Sequence, residues 1–565
     1  MYDAVTLEVL WNRVIAICEE QARSLFNASF STIVGESEDF ASALYDARGN
    51  LLAQAASSGT VGMMMGMTKG IKAFLRKIPA AALQPGDALI ANDPWLLSGH
   101  KYDVTIASPV FRSGVLIGFT ATTLHATDIG GIGFSAASRQ VFDEGLTIPI
   151  MKIVKAGRPN EELLEIIREN VREPDQVIAD FFAQLAANTL GSQKLLDFMS
   201  DYDLPTLEPL AAAIVDRTEQ AMRAAIAALP DGVFTSTVDF DGYEAPLRIV
   251  ATVRISGDEM TVDFAGTSPQ VPRGINSVLN VTEAYTVHAI KCALAPDIPN
   301  TEGTFRPIRV LAPEGCLLNA RRPAAVMARH VLVLFISAAV FGALAHAVPE
   351  KVIAESGHRM IHALSGMAPS GEPFIYWFLV SCGVGATAAH DGLSGTNFPA
   401  AVGTVPVEMI ETVSPVFIER KELLLDSGGP GTFRGGCDQE VVFRIHSREA
   451  ATLSAMYDRL LFPARGYAGG GAGRPGRFRI RGAAGERAPG GKERCSIAPG
   501  ETAAVCGGGG GGYGPAERRD PERVRRDVED GLVSPEAARA VYRVVLDPES
   551  LAINWQATTM LRAQG

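Results

Sequence analysis

Apolar residues recur at helical spacing in the first stretch of the chain, Thr6 to Ala28, where Leu7, Leu10, Val14, Ile17 and Leu25 fall on one side. The period then changes. Phe40 to Gln54, FASALYDARGNLLAQ, reads as two short strands around the turn Asp46-Ala47-Arg48-Gly49, and a helix follows through Met67 to Leu75. Three β-like runs come next: DALIAND, DVTIASPVF and VLIGFTATTL. Asn160 to Met199 is helical throughout, and a second helical run covers Pro205 to Leu229. From Gly232 the runs TSTVDFDGY, LRIVATVRIS and EMTVDFAGT alternate apolar and polar residues with turns between, the pattern of antiparallel strands. Asn276 to Ala295 and Ala324 to Ala347 are helix-like, whereas the chain after Thr412 is Gly- and Pro-rich with short strands such as EVVFRIH. The last helical piece, Ser534 to Val545, opens with an N-cap serine followed by Pro535 at the first position. The pattern predicts an α+β fold: a multi-lobed mixed α/β chain with antiparallel sheets and several buried helices. Its lobes are 1–230, α+β with a site-bearing hairpin; 231–411, strands and helices; and 412–565, Gly-rich β with a terminal helix.

Length agrees with several lobes, since 565 residues exceed one ordinary core of roughly 150. A net charge of −12 without a basic tail argues against a broad nucleic-acid footprint. The seven cysteines are odd in number and never in a C-x-x-C pair, which argues against a disulfide framework or a zinc finger. MYDAVTLEVLWNRV reads as the start of a helix, not a signal peptide. The most apolar run, Val331 to Ala345, is shorter than the ~20 residues a membrane span needs. It predicts a buried helix or a subunit contact in a cytoplasmic protein.

The chemistry concentrates in Asn92 to Gly131, NDPWLLSGHKYDVTIASPVFRSGVLIGFTATTLHATDIGG. If Val104–Phe111 and Val115–Leu124 form a hairpin centred on Ser113, His125 comes opposite roughly Lys101, beside His100 and Asp103. Cross-strand neighbours lie about 5 Å apart, so three ligand-type side chains converge at the hairpin's open end. Two imidazoles and a carboxylate suit zinc, manganese or ferrous iron with positions left open. Asp128 is then placed to orient a histidine, and Asp39 and Asp93 are further carboxylates able to complete the site. Spacing alone leaves an equal alternative, in which these are turn and strand-end residues satisfied by backbone.

Several ordered blocks resemble the hydantoinase B/oxoprolinase family. They are Asn92-Asp93-Pro94, His100-x-x-Asp103, Pro109-Val110-Phe111, and His125-Ala-Thr-Asp128-Ile-Gly-Gly131. VTLEV near the start, Asp39 to Gln54, VFDEGLTIPIMK, SPQVPRGINS, IPNTEGTFRPIRV, DSGGPGTFRGG and GLVSPEAAR extend the likeness along nearly the whole chain. The resemblance implies the B-type half of a two-part ATP-dependent enzyme. An A-type subunit with an actin-like ATPase fold binds ATP and phosphorylates an amide or ketone oxygen, and the B-type subunit handles the activated intermediate. By likeness to ketone carboxylases of the family, His100, Asp103 and His125 hold one divalent metal, and such complexes can contain a second B-like subunit. The chain departs from the pattern in Leu-Ser-Gly-His100, in His125-Ala126 where paired histidines are common, and in VMARHVLVLF. Those departures leave hydantoin, lactam and ketone open as substrates. The GH-x-x-D variant and the apolar run near Val331 lean towards ketone carboxylation.

Other candidates are weaker. His358 and His362 are spaced as helix-borne ligands but lack a third, which favours a structural or pocket role. His288, His330, His346 and His446 read as core histidines, and His390-Asp391 as a loop beside a pocket. Glu302 and Arg306 fit either a pocket or ordinary salt bridges. Gly507 to Gly512 lacks the G-K-[ST] ending of a phosphate loop, and Cys437 and Cys506 lack an evident base. A catalytically silent scaffold within such a complex is the alternative function, distinguished by having no need for His100, Asp103 and His125 to converge.

Overall fold

The computed structural model describes residues 2–57, 61–400 and 402–564. The helix Ala4–Ala28 is capped by Asp3, whose carboxylate accepts from Val5 N at 3.0 Å and Thr6 N at 2.9 Å. Its buried stripe, Leu7, Leu10, Trp11, Val14, Ile17, Cys18, Gln21 and Leu25, keeps the three- and four-residue steps of one helix face. That face packs on the helix Pro174–Asp201 and on a seven-stranded sheet.

The sheet consists of β1 (Phe40–Asp46), β2 (Leu51–Gln54), β3 (Ala88–Ala91), β4 (Asp103–Arg112), β5 (Val115–His125), β6 (Met151–Lys155) and β7 (Arg158–Pro159). Its order is β2-β1-β5-β4-β3-β6-β7, with every neighbouring pair antiparallel. Both faces are covered, so β1 divides its residues. Phe40 and Leu44 enter the core beneath the two long helices, while Ala41, Ala43 and Tyr45 enter a second core with the helix Val61–Lys77. Buried amides stitch the first helix layer to the hairpin. Gln184 Nε2 donates to the carbonyls of Val104 (3.2 Å) and Thr122 (3.1 Å), Asn188 Nδ2 to Ile106 (3.0 Å), and Gln21 Nε2 to Asn188 Oδ1 (2.7 Å).

Three further sheets follow. β8 (Gly232–Phe240), β9 (Leu247–Ser256), β10 (Glu259–Asp263) and β11 (Ile308–Leu311) form a four-stranded sheet, with only the β10–β11 pair parallel. β12 (Met360–Met367) and β13 (Pro373–Val380) join Ala451–Met456 and Arg494–Ile497 in the third sheet, and a five-stranded sheet completes the chain's β structure. The expected mixed α+β architecture with antiparallel sheets and buried helices is therefore the observed one. The apolar run near Val331 is the helix His330–Leu344, with nearly every side chain buried in the core that also holds β8–β11. Among the described residues, no helix is long and apolar enough to cross a membrane.

The structure redraws several predicted elements. The single helix predicted over Asn160 to Met199 is two, Glu161–Asn170 and Pro174–Asp201, because Pro174 cannot continue a helix and restricts Glu173 before it. The helix predicted from Ala324 starts only at His330, since Val326 N and Met327 N are drawn to the Glu144 carboxylate at 2.7 and 2.8 Å. His362 lies on β12 and His358 just before it, so their four-residue spacing is not a helical one. The piece predicted from Ser534 ends at Ala540, with Arg543 at φ 56°, and a further helix, Trp555–Ala563, went unpredicted.

The third sheet and the Gly-rich region are tied together by Glu355. Its fully buried carboxylate meets Arg459 Nη1 at 2.9 Å and Arg465 at 2.6 Å. Removing one member of such a group strands the others without water. Glu355→Ala should therefore cost about 3–5 kcal/mol, measured by chemical denaturation of the full chain, and Arg465→Ala should cost less because that side chain is half-exposed.

Candidate metal centre

The hairpin's register decides the site. Its turn has two residues, Ser113 at φ 50° and Gly114 at φ 81°, both left-handed as a tight hairpin turn requires. Arg112 pairs with Val115, and a bulge places Val110 opposite Gly118 and Phe111 opposite Leu116, leaving Ile117 as the extra residue. From there the ladder runs without a break to Asp103 opposite His125. The predicted partner, Lys101, is two positions away, because the predicted turn was one residue too long and the bulge was not visible. On the other side of β5, Phe40 pairs with Leu124 and His125 N donates to the Asp39 carbonyl at 3.1 Å. Asp39, His125 and Asp103 thus form one row across three strands, on the sheet face shared with Ala41, Ala43, Ala107 and Ala121.

His100 reaches the row from the loop before β4. Asn92 pins that loop, donating to the Lys101 carbonyl at 2.8 Å and accepting from Ile148 N at 2.6 Å. Gly99 lets it pass: its φ is 87°, and a Cβ there would come within 2.5 Å of Val281 and 2.7 Å of the Arg329 side chain. His100, Asp103 and His125 are all buried, and one ligand atom from each lies within 4.8 Å of the others.

The cavity they enclose, of about 20 Å³, has room for an ion or a water or two. Asp39, Met63, Phe134, Tyr285, Arg329, His330, Arg359, Ile361, Trp377 and Leu379 complete its wall. The site therefore lies where the ends of β1, β4 and β5 meet the start of the helix His330–Leu344 and the β12–β13 hairpin. Asp103 accepts from Arg329 Nη2 at 2.7 Å and lies 2.8 Å from His100 Nε2, and Arg329 Nε is anchored on the Ser98 carbonyl. His125 Nδ1 lies 3.0 Å from the Ala126 carbonyl, so the neutral ring carries its proton there and leaves the Nε2 lone pair bare. That Nε2 is buried without a partner among the described residues, as is Asp39 Oδ1.

Electrostatics agree with a site built for a cation. Burial, with His100 beside it, holds His125 down to about 3. Burial, then the neighbouring Arg329 and Arg359, holds His100 well below the usual histidine range. Both rings are thus neutral and able to coordinate. Burial, then the nearby Asp103, push Asp39 up to about 7 against the opposing pull of Arg359 and Arg329. The donor set of two imidazole nitrogens and the Asp103 carboxylate, with Asp39 on the same wall, fits zinc, manganese or ferrous iron.

Other predicted residues go elsewhere. Asp128 does not orient a histidine: it accepts from Gly130 N (3.1 Å), Arg172 N (2.6 Å) and Arg172 Nη1 (2.8 Å), so the helix break at Arg172 is what it serves. Asp93 caps Trp95 N and pairs with Arg322, outside the cavity. Glu302 pairs with Lys72 and Arg306 with Glu219. His358 and His362 are buried away from the cluster, and His390 is exposed while Asp391 binds Arg519. His330, read as a core histidine, lines the cavity with Nε2 unpartnered. Arg329, Arg359 and Trp377 were missed. Only the polar pair Arg329-His330 before an apolar run offered a signal.

Residues 3–516 match the hydantoinase B/oxoprolinase family. The chain is 31% identical to the B subunit of a putative D-/L-hydantoinase of Pseudomonas sp. (strain NS671), covering 99% of this chain and 98% of that one. It superposes on the ATP-dependent caprolactamase of Pseudomonas jessenii with a TM-score of 0.90 at 27% identity, covering all of both chains. An acetone carboxylase, nucleotide-free, shares the fold with a TM-score of 0.86 at 19% identity over 99% of this chain and 82% of that one. Fold and sequence together define an enzyme of four β-sheets, two of which reach the buried cavity of His100, Asp103 and His125. The chain belongs to the hydantoinase B/oxoprolinase family.

Gly99→Ala tests the packing of the His100 loop. A left-handed backbone and the approach of Arg329 should together cost roughly 2 kcal/mol or more, read as a lowered melting temperature. Asp128→Ala should also destabilise, through loss of the Arg172 contacts, while leaving the His100–Asp103–His125 geometry in place.

Proposed function

We propose that this chain is the metal-carrying B-type subunit of a heteromeric ATP-dependent enzyme. It acts on an amide or lactam oxygen activated on an A-type, actin-like ATPase subunit that binds the ATP. The observation that carries the reading is the buried convergence of His100, Asp103 and His125, with the Asp39 carboxylate in the same row and on the same cavity wall. A divalent ion held there supplies Lewis-acid polarisation of an oxygen and a lowered pKa for water.

The chain's own residues do the rest. The Ala126 carbonyl fixes the tautomer of His125, so Nε2 faces the cavity. Arg329 fixes the Asp103 carboxylate from the side away from His100, leaving its other oxygen for coordination. Phe134, Ile361, Trp377 and Leu379 restrict water, which strengthens every charge interaction inside. The hydantoinase and ATP-dependent caprolactamase relatives, at 31% and 27% identity, favour opening of a cyclic amide. Carboxylation of a ketone is the second reading, favoured by the apolar wall that would shield a carbanion from water. The hydantoinase relative is one part of a multi-subunit enzyme, which supports an obligate partner here, with room in such complexes for a second B-like subunit.

Purified from its native source, the complex should carry about one equivalent of zinc, manganese or iron per B-type chain. His125→Ala should remove most of it by elemental analysis, together with turnover, because one of few ligands is lost. A His100→Ala/His125→Ala double variant that kept full activity in the assembled enzyme would establish a scaffold instead. ATP turnover with lactams or hydantoins and without bicarbonate is the expected result. Turnover that requires a ketone and bicarbonate would select the second reading.

A further inference from the structure

The cavity around His100, Asp103 and His125, of about 20 Å³, is too small for an organic molecule, so the body of a substrate has to rest outside it. A cleft of about 80 Å³ lies against the same wall and shares both Phe134 and Trp377 with the cavity. It has room for about six waters, or for one small ring with a substituent.

The third sheet builds this cleft by register. Trp377 pairs with Ala363, Ala363 with Ser454, and Ser454 with Arg494, so the four residues form one row across β13, β12 and the strands Ala451–Met456 and Arg494–Ile497. Residues directly opposite each other share a sheet face, and all four line the cleft. Two residues along the same face, the pair Ile361 and Leu379 belongs to the cavity wall. One face therefore runs from the ligand cavity out to Arg494. Ala363 and Ser454 are small, which leaves the row low in the middle, with an indole at one end and a guanidinium at the other. Strands lie about 4.8 Å apart, so the backbones of those two end residues are about 14 Å apart.

The charges of the cleft do not cancel. Asp128, Arg172 and Arg494 are the charged residues of its lining. Arg172 is answered by Asp128, with Nη1 at 2.8 Å from Oδ1. Arg494 is exposed, and its side chain makes no hydrogen bond or ion pair among the described residues. One positive charge is thus left over, at the end of the row away from the ligands. A planar guanidinium receives a carboxylate through two parallel hydrogen bonds, and an indole face receives a flat ring.

We propose that this cleft is the substrate pocket of the centre and that Arg494 makes it select cyclic amides that carry a carboxylate. The ring lies with its amide towards Trp377 and Phe134, the substituent crosses Ala363 and Ser454, and the carboxylate ends on Arg494. This rests on the cyclic-amide reading and deepens it by naming the second functional group of the substrate. Arg494 is the specificity-determining residue. Since its side chain has no partner in the folded chain, a substitution there breaks no internal bond.

The test is steady-state turnover by the assembled enzyme of matched pairs that differ in charge and not in size: hydantoin-5-propionate against its primary amide, and 2-pyrrolidinone-5-carboxylate against its primary amide. The expected result is a wild-type preference for the acid in kcat/KM, which R494M lowers about fivefold or more, chiefly through the KM of the acid, with R494K between the two. A wild type that prefers the neutral member, or a preference for the acid that R494M leaves unchanged, overturns the proposal. Turnover of neither pair, with a ketone and bicarbonate required instead, overturns the cyclic-amide reading. Levulinate against its primary amide then judges Arg494 alone, and a preference unchanged in R494M overturns the pocket as well.

Discussion

A carboxylate with no access to water can be kept only where cations or donors surround it, and Asp103 is such a group. Its two oxygens are divided between Arg329 and His100. Most of the local architecture follows from that division. Arg329 must arrive from more than two hundred residues downstream, so the segment before it is held out of helix by Glu144, which accepts from Val326 N and Met327 N. Arg329 must also pass the His100 loop, and only a residue without a Cβ leaves it room at position 99.

The hairpin supplies the site's precision. Because strand side chains alternate with period two, a one-residue slip would turn His125 to the opposite face. The two-residue turn and the bulge at Ile117 fix the register, and amides from Gln184 and Asn188 hold the backbone of both strands to the helix Pro174–Asp201. The ligand row is thus set by backbone pairing, which is stiffer than side-chain packing, while the aromatic wall of Phe134 and Trp377 comes from separate elements that close over it.

Much of this was legible in the chain's own pattern. β-like runs predicted β1 to β5, alternation predicted β8 to β10, and turn residues predicted the β1–β2 and β4–β5 hairpins, while β6, β7 and β11 went unpredicted. The ordered blocks from Asn92 to Gly131 picked out His100, Asp103 and His125 before any coordinates, because cross-strand geometry is regular enough to bring such residues together. Asp39 was named as a candidate. Local sequence also carried the Ser534 cap with Pro535 behind it and the burial of the run after Val331, since a helix apolar on every side has nowhere to go but a core.

The remainder was decided by tertiary structure, and the reason is range. Lys101 was the predicted partner of His125 because a bulge leaves no mark in a β-like run, yet it moves every pair beyond it. Asp128 and His330 exchanged expectations: one is consumed by Arg172, the other faces the cavity, and neither outcome depends on neighbours in the chain. Arg359 and Trp377 lie more than two hundred and thirty residues from His125, one just before β12 and the other on β13, strands whose sheet continues to Ala451–Met456 and not to the ligand sheet. Sequence determines which side chains are able to bind; only the packing of distant strands and one helix start determines which of them line one buried cavity, where their charges must answer each other.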